Sequence, residues 1–588
     1  MFKRLHPLFP YMRRYWRGYV WGGVSVILSN AIWILFPQVI RNAIDDLNHG
    51  ITHHKILLYA GLLIAVSVFK GIFLFLTRWI IIGVSREIEY DLRNDLFRHL
   101  EKQPAAYYQE HRTGDIMARM TNDLAAVRML LGPAIMYSAN TILFSLGALF
   151  FLLRISPTLT LVALVPLPLA SVLVQVLGSR IHDRFERIQA MFSEISAQAQ
   201  ENFSGARLVR AFAQEEAQIA AFERSNRENI RRSLRLVQLM GMLWPTLQFI
   251  LGLAMAISLF VGGHQVLSHR ISVGDFVAFN TYMLMLTWPI IALGWVVNLF
   301  QRGTASVTRI DELLSEEPTI DDRDQDPSIP PDFAVQGDIE FRNLTFDYGA
   351  DGEKTNPILQ SLSLKIEAGS SLAIVGPTGS GKSTLVNLIA RLYDASPGTI
   401  LIDGRPIRQY PLAVLRSNLG VVPQETFLFS ETIRGNIAFG APGASEEDVM
   451  RAAESAHIRK EFEDFPRGFD TMVGERGVTL SGGQKQRASI ARAILRNPRI
   501  LILDDALASV DTYTEEQILE ELRRIMQGRT TIFISHRIST VRHADQIAVL
   551  VEGRIAELGT HEQLLQKNGY YADLFQKQQL EEELAVTH

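Results

Sequence analysis

The chain of 588 residues contains no cysteine. Disulfide bonds and thiolate metal sites are therefore excluded. An excess of charge of one sign is also missing, because the formal net charge is only −4, and this balance argues against a general nucleic-acid binder. The N-terminus lacks a short apolar core followed by a small-residue cleavage site, so we expect no cleaved signal peptide. The length itself argues against a single compact domain.

Tryptophan is absent after residue 295, and long stretches before that point lack charge. A bilayer core needs about 20 apolar residues per helix, whereas buried helices of a soluble domain normally keep a polar face. Lys70 is the one charge within these stretches, and it faces a cavity or lies near a helix end. We predict six membrane-spanning helices: Tyr19–Ile40, Ile56–Thr77, Met129–Leu153, Ile155–Ser179, Leu236–His269 and Phe276–Gln301.

Basic residues orient these spans. Arginine and lysine are frequent before the first span, after the second and after the fourth, whereas the alternate connections are short and poor in both. By the positive-inside rule both termini face the cytoplasm. The two long basic segments have helical spacing, and we expect them to form helices that extend into the cytoplasm, with turns at 111–115 and 202–206.

Residues 315–336 are acidic and contain several prolines, which is typical of a linker. Beyond them, short β-rich runs alternate with helical patterns and predict an α/β domain with a parallel sheet. The predicted organisation is a membrane domain over 1–314, a linker over 315–336 and an α/β domain over 337–588.

The sequence SLAIVGPTGSGKST at residues 371–384 is the most specific signal in the chain. It places the pattern G-x-x-x-x-G-K-[ST] between an apolar strand and a helical segment. Glycines let backbone N–H groups close around phosphate oxygens, and the following helix presents its positive N-terminus. Lys382 is expected to reach the β- and γ-phosphates, and the Ser383 hydroxyl to bind Mg²⁺. The predicted ATP-binding residues are Gly376, Pro377, Thr378, Gly379, Ser380, Gly381, Lys382, Ser383 and Thr384.

A second apolar strand, ILILD, ends at Asp504. A carboxylate at that point can hold the Mg²⁺ shell, although many strands end in aspartate. Other motifs accompany it. They are VVPQE with Gln424, LSGGQ at 480–484, SVD with Asp511, and FISHR with His536.

With these motifs together, the chain resembles over nearly its whole length the ATP-binding cassette exporters whose subunit joins six membrane helices to one nucleotide-binding domain. LSGGQ is the signature of that family, and its combination with the P-loop is very specific. The resemblance implies an all-α membrane domain of the type IV exporter class, followed by an α/β P-loop domain. It also implies ATP and Mg²⁺ as ligands, and a second half-transporter subunit as partner.

The resemblance further implies a role for each matching residue. Tyr348 would stack on adenine, Gln424 would contact Mg²⁺ and relay to the membrane helices, and His536 would contact the γ-phosphate. Without the resemblance, the alternative interpretations are that Tyr348 is an edge-strand aromatic and that His536 is a structural histidine. Asp511 would cross the dimer interface, and the signature would face ATP held by the other subunit. The signature residues concerned are Ser481, Gly482, Gly483 and Gln484.

Asp505 departs from the family pattern, because most members have glutamate there, which orients and polarises the attacking water. Aspartate keeps the charge but is one methylene shorter, about 1.5 Å of lost reach. A misplacement of about 1 Å can lower a rate on the order of 10²-fold. We therefore predict a site that binds ATP normally and hydrolyses it slowly. The alternative is a backbone shift that lets Asp505 work adequately.

The sequence as a whole predicts ATP-driven export of small hydrophobic or amphipathic compounds, such as drugs, lipids or peptides, by a multi-pass protein of the inner (cytoplasmic) membrane. The weakened Asp505 site and the intact signature resemble the degenerate-site subunit of heterodimeric multidrug exporters, so a heterodimer is favoured. A homodimer with a working Asp505 and an ATP-gated channel or regulator are the alternatives. Six spans and the absence of a basic patch argue against nucleic acid as a partner.

Overall fold

The chain forms two compact units in a computed structural model. The first unit comprises Met1–His99 and Gly114–Glu316, and the second comprises Leu100–Thr113 and Glu317–His588. The short segment Leu100–Thr113 therefore groups with the second unit, although both its neighbours in sequence belong to the first. The structure describes residues 2–349, 357–474, 477, 479–508 and 512–586.

The first unit is built from helices. Two π-helical turns, Arg119–Asp123 and Leu130–Ala134, separate the helices between residues 113 and 155. The α-helices are α1 Phe9–Arg14, α2 Trp16–Asn48, α3 His53–Leu100, α4 Ala105–Glu110 (in the segment of the second unit), α5 Thr113–Ala118, α6 Leu124–Met129, α7 Ile135–Ile155, α8 Pro157–Leu164, α9 Pro166–Ser204, α10 Ala206–Ala211, α11 Glu215–Leu267 and α12 Val273–Ser315.

Several of these helices are much longer than a bilayer is thick. Helix α3 has 48 residues, about 72 Å at 1.5 Å per residue, against about 30 Å for the hydrocarbon core. The basic residues after the second span therefore continue its apolar helix without interruption as far as Leu100. Helix α9 ends at Ser204, and the Gly205 N–H donates to the Glu201 carbonyl, so this turn falls where the sequence predicted one.

Among the described residues, five helical stretches are long and apolar enough to cross a membrane. The predicted span Ile155–Ser179 is absent from these five because it is divided between α8 and α9. The division falls at Val165, immediately before Pro166, which has no backbone N–H to continue a helix. The five stretches are Trp16–Asn48, His53–Leu100, Thr113–Ile155, Glu215–Leu267 and Val273–Ser315.

The second unit contains two sheets and short helices. Its strands are β1 Ile339–Phe346, β2 Leu359–Ile366, β3 Ser371–Val375, β4 Ile400–Ile402, β5 Arg405–Pro406, β6 Leu419–Val422, β7 Ile500–Asp504, β8 Thr530–Ile534, β9 Gln546–Val551 and β10 Arg554–Gly559. Its further helices are α13 Lys382–Ile389, α14 Leu412–Ser417, α15 Ile433–Ala438, α16 Glu446–Ser455, α17 Arg459–Glu463, α18 Gly482–Leu495, α19 Thr512–Met526, α20 Ile538–Val541, α21 His561–Lys567 and α22 Tyr570–Val586.

The larger sheet has the strand order β10-β9-β3-β8-β7-β6. All its neighbouring pairs are parallel except β9 with β10. Every residue of β3, β7 and β8 is buried, as expected for apolar strands covered on both faces. The smaller sheet is antiparallel, in the order β2-β1-β4-β5.

Candidate functional site

Four strands that are neighbours in the larger sheet lead to the predicted P-loop, Gln424, Asp504 and His536. The P-loop follows β3, the segment with His536 follows β8, Asp504 ends β7, and Gln424 follows β6. Carboxyl ends of parallel strands meet at one edge, where ligands of open α/β sheets bind. Strand order therefore brings together motifs that lie up to 160 residues apart in the sequence.

The loop between β3 and α13 has a backbone that only glycine adopts easily. Gly379 and Gly381 have φ values of 82° and 98°, and Gly376 has 151°. A Cβ atom on Gly376 would lie 2.0 Å from the Leu550 carbonyl oxygen. These positions keep the loop tight, so that its N–H groups can surround an anion at the N-terminus of α13.

Lys382 is held inside this loop. Its Nζ donates to the carbonyl oxygens of Gly376 at 3.0 Å and of Pro377 at 2.8 Å. Burial lowers the pKa of Lys382, and the negative charges of Asp504 and Asp505 offset part of this shift. The Ser380 hydroxyl is buried and has no hydrogen-bond partner among the described residues. The loop thus carries polar groups that a phosphate can satisfy.

Asp504 lies opposite the loop, at the end of β7. Burial raises its pKa, the negative charge of Asp505 adds to the effect, and a hydrogen bond with Ser383 opposes it. The Asp504 Oδ1 atom is buried and has no partner among the described residues. A hard cation prefers such oxygen ligands, so the donor set of Ser383 and Asp504 fits Mg²⁺.

A cavity of about 240 Å³ lies between these elements. Ile358 and Ile534 give it an apolar part that was not predicted, because Ile358 lies in no motif and only His536 was singled out in FISHR. Gly376, Pro377 and Ser380 stay in the adjacent loop rather than on the cavity wall. Its lining is Ile358, Thr378, Gly379, Gly381, Lys382, Ser383, Thr384, Gln424, Asp504, Asp505, Ile534 and His536.

The backbone of Asp505 is fixed on both sides. Its N–H donates to the Ile534 carbonyl oxygen at 2.9 Å, and its own carbonyl accepts from the Ala508 N–H at 3.3 Å. Its φ is 50°, in the left-handed region that aspartate tolerates better than most residues. A shift of this backbone toward the cavity breaks the pairing with β8.

Tyr348 lies beside the cavity rather than on its wall. Its hydroxyl donates to Thr384 Oγ1 at 2.9 Å, and its ring meets Tyr393 edge-on at 4.8 Å. The residue is 43 % exposed, so among the described residues its ring remains accessible to a flat ligand. The arrangement fits an adenine platform attached to the P-loop helix.

The signature segment is separate from this cavity. Ser481 caps α18, its hydroxyl accepting from the Gln484 N–H at 3.2 Å while Gln484 Oε1 accepts from the Ser481 N–H at 3.0 Å. Ser481 and Gly482 are exposed. The N-terminus of α18 is thus exposed, and its N–H groups point toward solvent-accessible space where an anion can bind. Asp511 lies outside the described residues.

The first unit contains a second cavity, of about 260 Å³. Two cations of α3, Lys70 and Arg78, share its wall with aromatic rings, and Lys70 Nζ lies 3.6 Å from the centre of the Trp33 ring. No acidic residue is among the described lining residues. The lining is Ser29, Asn30, Trp33, Lys70, Leu74, Arg78, Tyr137, Asn140, Phe144, Met285, Trp288 and Pro289.

Two family models match the chain. The ABC transporter transmembrane region matches residues 20–290, and the ABC transporter domain matches residues 359–508. Among solved structures, a bacterial Atm1-family ABC exporter with ATP bound aligns with a TM-score of 0.76 and 30 % identity, over 96 % of this chain and 98 % of that one.

Three curated relatives match over most of their length. The probable multidrug resistance ABC transporter ATP-binding/permease protein YheI of Bacillus subtilis is 37 % identical, over 99 % of this chain and 98 % of its own. The multidrug resistance-like ATP-binding protein MdlA of Escherichia coli is 35 % identical, over 97 % and 96 %. The ATP-dependent lipid A-core flippase of Syntrophus aciditrophicus is 35 % identical, over 94 % and 91 %. This chain therefore belongs to the ABC transporter family, as an exporter subunit whose ATPase domain drives transport.

Proposed function

We propose that this chain is one half of a heterodimeric exporter, and that its own P-loop site hydrolyses ATP slowly. The observation that carries the proposal is Asp505, whose side chain is one methylene shorter than glutamate and whose backbone is tied to β8 and to Ala508. The capped, exposed signature helix supports a complementary role. In this complementary role, the signature of this chain completes a competent ATP site built on the partner's P-loop.

Each predicted residue has its own role in binding or hydrolysing ATP. The loop residues and Lys382 bind the phosphates, Tyr348 stacks on adenine, and His536 contacts the γ-phosphate. Ser383, Gln424 and Asp504 hold Mg²⁺, which supplies charge neutralisation of the phosphates when bound. Ser481, Gly482, Gly483 and Gln484 act on ATP held by the partner, as does Asp511 across the interface.

Transport follows from a shift between populations. ATP bound between two nucleotide-binding domains favours their closed dimer, and hydrolysis with phosphate release favours separation. The proposed membrane domain is 1–314, the linker 315–336 and the nucleotide-binding domain 337–588. With six spans both termini lie on the same side of the membrane. Basic residues beside the spans support the cytoplasmic side of an inner membrane.

The cavity of the first unit supports an amphipathic substrate with an acidic group. Lys70 contacts the Trp33 ring, but neither Lys70 nor Arg78 has an acidic partner among the described residues. A charge within a membrane is costly, and such residues often mark the path of a substrate. Trp33, Tyr137 and Trp288 offer flat apolar surface beside them.

Transport into inside-out vesicles tests the substrate class. An acidic fluorescent amphiphile and its neutral ester are compared in wild type and Lys70→Met. The same substitution at Lys55, on the same helix but paired with Asp46, is the matched control. Selective loss of ATP-dependent uptake of the acid in Lys70→Met alone supports the proposal. Equal uptake of both compounds by all three proteins contradicts it.

Isolation from the native membrane tests the pairing. We expect one companion of similar size, with glutamate at the position that matches Asp505. An active dimer of this chain alone instead indicates the homodimeric exporter, and nucleotide-gated leak without accumulation indicates a channel or regulator. The first outcome overturns the heterodimer, and the second overturns ATP-driven export by the complex.

A further inference from the structure

The segment that carries His536 is bound by a distant side chain. Residues 535–537 lie between β8 and α20, outside both elements. The amide of Gln578 on α22 contacts two backbone groups there: its Nε2 donates to the His536 carbonyl oxygen, and its Oε1 accepts from the Ile538 N–H at 2.8 Å. One planar amide thus satisfies a donor and an acceptor two residues apart.

We infer that Gln578 is a positioning residue that sets the direction of the His536 imidazole in the ATP site. The imidazole lines the cavity with Lys382 and Asp505, while the carbonyl of the same residue is held by Gln578. The imidazole extends from the His536 Cα, so a displacement of the backbone at residues 536–538 moves it. Two hydrogen bonds that straddle this point restrict that displacement. The inference rests on the proposed contact of His536 with the γ-phosphate.

The position of Gln578 does not depend on its two hydrogen bonds alone. Tyr571, on the same helix, is fully buried and belongs to one hydrophobic cluster with Val375, Ile538 and Val541. Gln578 follows Tyr571 by seven residues, about two helical turns, so the two residues share a face of α22. The buried tyrosine therefore fixes the helix, and the helix fixes the amide.

A second anchor holds the side chains of this segment. Glu515 on α19 is 3 % exposed, pairs with Arg537, and accepts from Thr540 Oγ1 at 2.7 Å. This anchor keeps the segment attached to the core when the Gln578 amide is removed. Loss of the amide is therefore expected to misdirect His536 without unfolding the segment.

The test compares ATP turnover of Gln578→Ala with that of Gln579→Ala, the adjacent exposed residue on α22. The complete transporter is used, and the parent is wild type or Asp505→Glu, whichever has the faster ATP turnover. The turnover of Lys382→Ala is subtracted, because it measures the contribution of other ATP sites. We expect Gln578→Ala to lower kcat about tenfold, as for loss of two ordinary hydrogen bonds, with ATP affinity unchanged. Gln579→Ala is expected to match its parent.

Gln578→Glu is a second variant, in case alanine destabilises the helix. It keeps an acceptor for the Ile538 N–H but loses the donor to His536, so we expect the same fall in kcat. An unchanged kcat in both variants, with melting temperatures like the parent, overturns the inference.

A double-mutant cycle with His536→Ala separates positioning from a general structural role. If Gln578 acts through His536, adding Gln578→Ala to His536→Ala lowers the rate no further. The same factor in both backgrounds overturns the inference but leaves the role of His536 intact. A normal rate in His536→Ala alone refutes the proposed role of the histidine itself, and the positioning inference with it.

Discussion

Restoring the missing methylene at residue 505 is expected to accelerate the chain's own ATP site. The Asp505 N–H bonds to the Ile534 carbonyl at 2.9 Å, and the Asp505 carbonyl accepts from Ala508 and, at 3.5 Å, from Gln486 Nε2. These bonds prevent the backbone from moving forward to compensate for a short side chain. The defect is therefore one of reach, and Asp505→Glu removes it.

The size of the effect follows from the geometry. One C–C bond adds about 1.5 Å, and errors of about 1 Å in the position of a reacting group can lower rates on the order of 10²-fold. We expect Asp505→Glu to raise turnover at this site about 10- to 100-fold. The left-handed φ of 50° is less favourable for glutamate, so thermal stability is expected to fall slightly.

The assay measures phosphate release by the complete transporter in lipid nanodiscs, with the Lys382→Ala rate subtracted. Asp505→Asn has the same size without the charge and is the control, because it should not exceed wild type. ATP affinity should be similar in all three proteins. If the corrected rate of Asp505→Glu does not rise while the variant binds ATP normally, reach does not limit this site.

Three further changes test other parts of the site. Tyr348→Ala is expected to weaken ATP binding about tenfold or more, the strength of one base–aromatic stack. The control Tyr348→Phe keeps the ring and loses only the hydrogen bond to Thr384. Equal ATP affinities of Tyr348→Ala and Tyr348→Phe in a nucleotide titration would contradict stacking on adenine. Asp504→Asn should abolish Mg²⁺-dependent turnover yet stabilise the nucleotide-free protein by about 1 kcal/mol. Burial raises the pKa of Asp504, so its charge opposes folding once the pH exceeds the ordinary pKa of an aspartate; the gain in melting temperature should be full at neutral pH and vanish as the pH falls to that ordinary pKa, and a gain that stays constant over this range counts against this cause. Ser481→Ala removes the cap of α18 and should lower turnover at the partner's site while ATP binding at this chain's P-loop is retained, and the reverse pattern would refute the assignment of the signature to the partner's ATP.

Local motifs explain why the P-loop residues could be predicted from the sequence. Glycines, Lys382 and Ser383 follow a buried strand directly, and their spacing alone defines the loop. Parallel strand order then brings Asp504 and His536 to the same edge. The wall residue Ile358 could not be predicted in this way, because nothing in its neighbourhood distinguishes it from any other apolar residue.

Helix ends and helix packing could not be predicted from the sequence either. Hydropathy locates apolar stretches but not the point where a helix breaks, and the division at Val165 depends on the proline that follows. Hydropathy also cannot tell that Lys70 and Arg78, eight residues apart on α3, share a cavity with Trp33. Gln578 is 42 residues from His536, and its role depends on helix packing that no local pattern encodes.

The central claim is that this chain's own site holds ATP while its partner's site turns over. The most direct measurement is photo-crosslinking of the assembled transporter, during steady hydrolysis, with an azido-ATP analogue labelled at the γ-phosphate. We predict that the γ label stays on this chain after many turnovers, because the nucleotide at Lys382 remains intact. Loss of the γ label from this chain as fast as from its partner, with an adenine label retained on both, would contradict the account.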